Sequence, residues 1–68
     1  MRKLIFPFKA RLISEPGSEY AAENMRVGEI YTVYGWAGSC FEVSTDIPGD
    51  YTLIHYQRVE EIPQEVQV

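Results

Sequence analysis

Val27-Gly28-Glu29-Ile30-Tyr31-Thr32-Val33-Tyr34-Gly35 is a turn glycine followed by a run in which aromatic and β-branched residues dominate. Residues of this kind pack well on a pleated, half-buried surface, so the segment predicts a strand over Glu29 to Gly35 with Tyr31 and Val33 facing inward. Two shorter runs of the same character follow, Cys40 to Thr45 and Tyr51 to His55, with turn residues between them. Short strands separated by turns predict a small all-β domain.

Upstream, Leu4, Phe6, Phe8, Ala10 and Leu12 alternate with Lys3, Ile5, Pro7, Lys9 and Arg11. A period of two means a strand with one face buried. Pro7 cannot donate to a ladder and marks an edge, a bulge or a break in that strand. Glu15-Pro16-Gly17-Ser18 reads as a turn. Ser18 is placed to cap a short helical stretch over Glu19 to Glu23, and Asn24 suits the left-handed conformation that would end it.

Gly35 to Ser39 reads as a glycine-rich connection. Phe41, Val43 and Thr45 then alternate with Cys40, Glu42 and Ser44, and Glu42 identifies the wet face. In Asp46-Ile47-Pro48-Gly49-Asp50 the Pro-Gly pair suits a type II turn. Tyr51 to Ile54 gives a fourth strand, a tight turn near His55 to Gln57 follows, and Arg58 to Ile62 gives a fifth. The expected architecture is a five-stranded SH3-like barrel with a long first loop carrying a short helical turn. An OB-fold fits less well, because it needs a helix between the third and fourth strands, where only the Pro-Gly turn stands. One domain over residues 1–63 and a frayed tail over residues 64–68 are expected.

A chain of 68 residues with a single cysteine has room for one small core and neither a disulfide framework nor a thiolate zinc site. A reducing, cytoplasmic setting is expected. The apolar run at the start is too short for a signal peptide, and no segment approaches the roughly 20 apolar residues that span a bilayer. The net charge of −4 argues against a general nucleic-acid binder, since phosphate neutralisation dominates such affinity. Arg2, Lys3, Lys9 and Arg11 cluster at the start, and a basic arm gripping nucleic acid is the lesser reading of them. The more economical expectation pairs the two end strands, setting Lys9 and Arg11 opposite Glu60 and Glu61.

Taken together, these residues resemble a broad group of small SH3-like proteins encoded by bacteriophages and prophages. The resemblance runs over most of Lys9 to Ile62. It rests on the opening Lys9-Ala10-Arg11-Leu12-Ile13, on Arg26-Val27-Gly28-Glu29-Ile30-Tyr31-Thr32-Val33, on the turn Asp46 to Asp50, and on the ending His55-Tyr56-Gln57-Arg58-Val59-Glu60-Glu61-Ile62. Val59 stands where the group usually has phenylalanine, and the start Met1 to Phe8 is longer than in the common version. The resemblance implies a phage-type accessory protein acting in the host cytoplasm.

Convergent catalytic groups are scarce. His55 is the only histidine, beside Tyr56 and Arg58 and possible to set against Asp50, yet a hydrogen-bonded turn histidine explains it. Cys40 lacks electropositive neighbours in sequence, so a quiet, half-buried thiol is expected. Asp46 and Asp50 flank Pro48-Gly49 and read as turn chemistry, not as ion ligands. No phosphate loop is present. The sequence therefore predicts no enzyme, no cofactor and no metal.

Binding is the better expectation. Tyr34, Trp36, Tyr51 and Tyr56 are the partner-binding candidates, because such rings offer large contact area with few torsions to freeze. Trp36, between Gly35 and Ala37, is expected to project from a turn, so that its removal would hardly change the melting temperature. The acids of the first loop lack the alanine-leucine-tyrosine-aspartate-tyrosine run of polyproline-binding SH3 domains. The leading expectation is a noncatalytic modulator of a host protein with a basic surface, such as a nucleic-acid-handling or defence enzyme. The alternative is a homo-oligomeric assembly module that pairs through its N-terminal strand.

Overall fold

The computed structural model describes residues 4–63. Its strands are β1 (Phe8–Leu12), β2 (Ile30–Ala37), β3 (Cys40–Ser44), β4 (Tyr51–His55) and β5 (Val59–Glu61). One helix, α1 (Glu19–Asn24), lies between β1 and β2, and a 3-10 turn (Tyr56–Arg58) lies between β4 and β5. All five strands join one antiparallel sheet in the order β4-β3-β2-β1-β5. The chain is all-β, as expected. The sheet is open, with β4 and β5 at its two ends, and closure into a barrel is not part of the strand pairing among the described residues. The frayed tail expected over 64–68, like Arg2 and Lys3 of the suggested basic arm, lies outside the described residues.

The alternation in the sequence translates directly into burial. In β1, Phe8, Ala10 and Leu12 are buried, while Lys9 and Arg11 are exposed. Leu4 and Phe6 pack against the core from before the strand, which begins only after Pro7. Tyr31 and Val33 of β2, Phe41 and Val43 of β3, Ile54 of β4 and Val59 of β5 complete the sheet's inner face. Ala21 of α1 and Met25 just after it join the same cluster.

Ser18 caps α1: its backbone is extended and its Oγ accepts from the Ala21 N–H at 3.1 Å. The helix does not end through a left-handed Asn24, since among the described residues only glycines have positive φ. Met25 turns extended and buries its side chain, and the Asn24 amide donates to the Tyr20 carbonyl at 2.9 Å. Burial of Met25 therefore terminates this helix.

Three further expectations shift. The connection after β2 is only Gly38-Ser39, because β2 continues through Gly35, Trp36 and Ala37 and pairs Ala37 with Cys40. Gly38 has φ +62, as the first central residue of a type II′ hairpin turn requires. Opposite β1, Arg11 does face Glu60, but Glu61 faces Ala10. Lys9 Nζ instead donates to Thr32 Oγ1 at 2.6 Å, and Arg11 Nη1 to the Gly28 carbonyl at 2.6 Å. Finally, β1 is interior, with β2 on one side and β5 on the other. Over Phe8–Leu12 the expected route to self-pairing through the N-terminal strand is taken up within the chain.

Candidate partner-binding surface

The outer face of the β2-β3-β4 sheet is built by register. Ser44 lies opposite Tyr51, Glu42 opposite Leu53, and Cys40 opposite His55. Cross-strand partners share a face, so Tyr51, Leu53 and His55 form one row along β4 with Glu42 beside it. From β2, the ladder slips between Val33 and Gly35, and Gly35 then pairs with Glu42. The slip leaves Tyr34 as an extra residue, and a bulge of this kind re-aims the side chain it carries. Tyr34 is 55% exposed, Tyr51 58% and Leu53 53%.

Tyr34, Glu42, Gly49, Asp50 and Tyr51 line a solvent-open groove of about 390 Å³. The Glu42 side chain lies across Gly35, where a Cβ would come within 2.5 Å of Glu42 Oε1. A glycine inside a strand often marks such a close approach. Glu42 is half-buried, and among the described residues its carboxylate has no hydrogen-bond or ion-pair partner. The neighbouring Asp50 is engaged through one oxygen by contrast. Its Oδ2 accepts from Tyr20 Oη at 2.5 Å and from Thr45 Oγ1 at 2.8 Å. The Tyr20 bond, then the Thr45 bond, hold the Asp50 carboxyl below the usual range. The same bond to Asp50 is the main cause that raises the Tyr20 phenol.

The remaining pair of candidates lies elsewhere. Trp36 sits in β2, not in a turn, and pairs with Phe41. Its ring meets the buried Phe41 ring edge-on at 4.7 Å and the Tyr56 ring at 6.1 Å, leaving Trp36 49% exposed. Tyr56 stacks on His55 at 4.7 Å. The candidates thus fall into two pairs, Tyr34 with Tyr51 on the outer face and Trp36 with Tyr56 at the hairpin end. His55 and Tyr56 carry the aromatic row from β4 to that end.

The other chemistry-bearing residues take structural places. His55 Nδ1 accepts from the Gln57 N–H at 3.2 Å, capping the 3-10 turn. His55 ends β4 whereas Asp50 precedes it, so the strand keeps the two roughly 16 Å apart. Cys40 is half-buried opposite His55. Asp46 Oδ1 accepts from Tyr31 Oη at 2.9 Å, and Tyr31 Oη in turn accepts from the Arg26 N–H at 2.7 Å. Burial, with the Asp46 bond, pushes the Tyr31 phenol up. Among the described residues no cluster of three His, Cys, Asp or Glu is placed to hold a metal ion. Among the described residues no helix is long and apolar enough to cross a membrane.

The sequence offers the tyrosines as candidates, marks Glu42 only as the wet face, and does not single out Leu53. The signal was in the alternation. With Ser44 opposite Tyr51 and Glu42 opposite Leu53, the period of two puts Glu42, Tyr51 and Leu53 on one face. The chain matches no family model, and comparison with curated proteins and with solved structures gives no match either.

Proposed function

We propose that this chain is a noncatalytic accessory protein of bacteriophage type, working in a host cytoplasm, that binds a basic surface on a host protein and alters its activity. The observation that carries the reading is the outer face itself. Tyr34, Tyr51 and Leu53 stand exposed around a Glu42 carboxylate that has no partner among the described residues. Contiguous exposed apolar surface of this kind marks interaction sites more often than it serves a monomer. The net charge of −4 favours a basic partner, and complementary charge would speed encounter and select against acidic surfaces. Trp36 and Tyr56 extend the contact at the hairpin end.

The SH3-like barrel belongs to the same proposal. In a flat five-stranded sheet the outer strands lie roughly 19 Å apart. Only the 3-10 turn Tyr56–Arg58 joins β4 to β5, and His55 and Val59 can be separated by at most about 14 Å even when that link is fully extended. The sheet must therefore curl strongly, which supports a barrel-like wrap around the core. The bulge at Tyr34 supports it as well.

Affinity capture from bacterial lysate tests the binding reading. A single stoichiometric partner should be recovered by the wild type and lost with a Tyr34→Ala/Tyr51→Ala variant that remains folded. Equal recovery by both proteins, or none by either, counts against it. One observation favours a second reading, an assembly module: β4 is an edge strand whose outward residues include Tyr51 and Leu53. Light scattering separates the two, since a strict monomer at high concentration removes self-assembly.

A further inference from the structure

We infer that the groove between Tyr34 and Tyr51 receives one lysine or arginine side chain of the partner protein, with the Glu42 carboxylate as its counter-ion. The inference rests on the partner-binding reading and specifies its chemistry. Tyrosine faces attract a cation placed within about 6 Å of the ring centre. Two tyrosines and a carboxylate converging on one groove form a composite acceptor for positive charge. The local charges point the same way, because the ionisable carboxylates of the lining are Glu42 and Asp50, and no cationic residue joins them.

The two acids are not equivalent. Asp50 spends an oxygen on Tyr20 and Thr45, and its place in the lining is fixed by those bonds. Glu42 has no partner among the described residues and is held over the bare backbone of Gly35. A half-buried carboxylate without a partner gains most from a cation delivered by a binding protein, because it has already lost part of its hydration. The volume of about 390 Å³ suits one long side chain with its flanking backbone and not a folded element.

Gly35 provides a specific test. A Cβ there would collide with Glu42 Oε1, the mobile end of a flexible side chain, so Gly35→Ala should displace the carboxylate while leaving every ring and charge in the protein. Glu42→Gln removes the charge while keeping the shape. The probes are short capped peptides carrying one lysine or one arginine between glycines, with norleucine as the uncharged counterpart, titrated against the 68-residue chain by amide-resolved NMR.

The expected result is shifts centred on Tyr34, Glu42 and Gly49 to Tyr51 with a cationic peptide and none with norleucine. Glu42→Gln should weaken that binding about tenfold or more, Gly35→Ala should weaken it as well, and added salt should reduce it. Equal binding of norleucine, shifts centred elsewhere, or an unchanged affinity in folded Glu42→Gln would each overturn the inference. If the peptides fail but the Tyr34→Ala/Tyr51→Ala variant still loses the captured partner, the cation pocket is wrong and the docking face stands. If capture is also unaffected, both are wrong.

Discussion

Tyr20 and Asp50 are 30 residues apart and joined by one hydrogen bond that ties the loop helix to the β3–β4 turn. The bond sets the pH limits of both groups. Asp50 is held below its usual range, so its contribution to stability is present above about pH 4 and is lost as pH falls through its lower folded value. Tyr20 is raised, so its contribution is present below about pH 10 and is lost as pH climbs through its higher folded value. Urea midpoints measured across pH should therefore decline at both extremes. Tyr20→Phe should blunt the alkaline decline and reduce the acid one, Thr45 still holding Asp50. Identical pH profiles for the two proteins would rule the bond out as a contributor. At the buried Tyr31 the loss is structural. Tyr31→Phe leaves the Arg26 N–H and Asp46 without their shared oxygen and should cost about 1–3 kcal/mol in denaturant unfolding. A change within error would show that water replaces the hydroxyl without loss.

At the scale of elements, turns and strands differ in how far they could be read. The Pro48-Gly49 turn was legible because its requirement is local. Gly49 has φ +79 and the Asp50 N–H bonds the Ile47 carbonyl at 3.1 Å, which is type II geometry. Gly49→Ala should cost about 1–2 kcal/mol, because a side chain is strained at that dihedral, and a neutral result by thermal melting would contradict the turn assignment. β1 and β3 were legible for a different reason: each has one wet face, so polarity alternates with burial. Gly35-Trp36-Ala37 reads locally as a connection, because its place in β2 depends on a distant partner. Glu42 occupies the space that a side chain at Gly35 would need, and Phe41 supplies the surface on which Trp36 rests. The end of α1 was missed on the same ground, since Met25 leaves the helix for a core that no local pattern displays.

Across the whole molecule, an aromatic row runs from Phe6 through Phe8 and Phe41 to Trp36 and Tyr56, with successive rings 4.7 to 6.1 Å apart. Trp36 is where this row reaches the surface, at the hairpin end and on the same side of the sheet as Phe41, so it is part of the fold as well as exposed. Trp36→Ala should lower stability by about 1–2 kcal/mol, short of the cost of emptying a fully buried aromatic site. An unchanged melting temperature would return Trp36 to a purely surface role. The candidate site was legible as a set of residues but not as an arrangement. Tyr34, Trp36, Tyr51 and Tyr56 are residue types that favour interfaces whatever the fold. Their division into two pairs, with Glu42 beside one of them, follows from the bulge and the β3–β4 register. The proposed docking surface is the outer sheet face. Hydroxyl-radical footprinting of the protein with its captured partner tests this directly, by reading side-chain exposure residue by residue. Labelling of Tyr34, Tyr51 and Leu53 is predicted to fall on binding while that of Ile5 and Ile13 is unchanged. Undiminished labelling of Tyr34 and Tyr51 in a saturated complex would contradict the account.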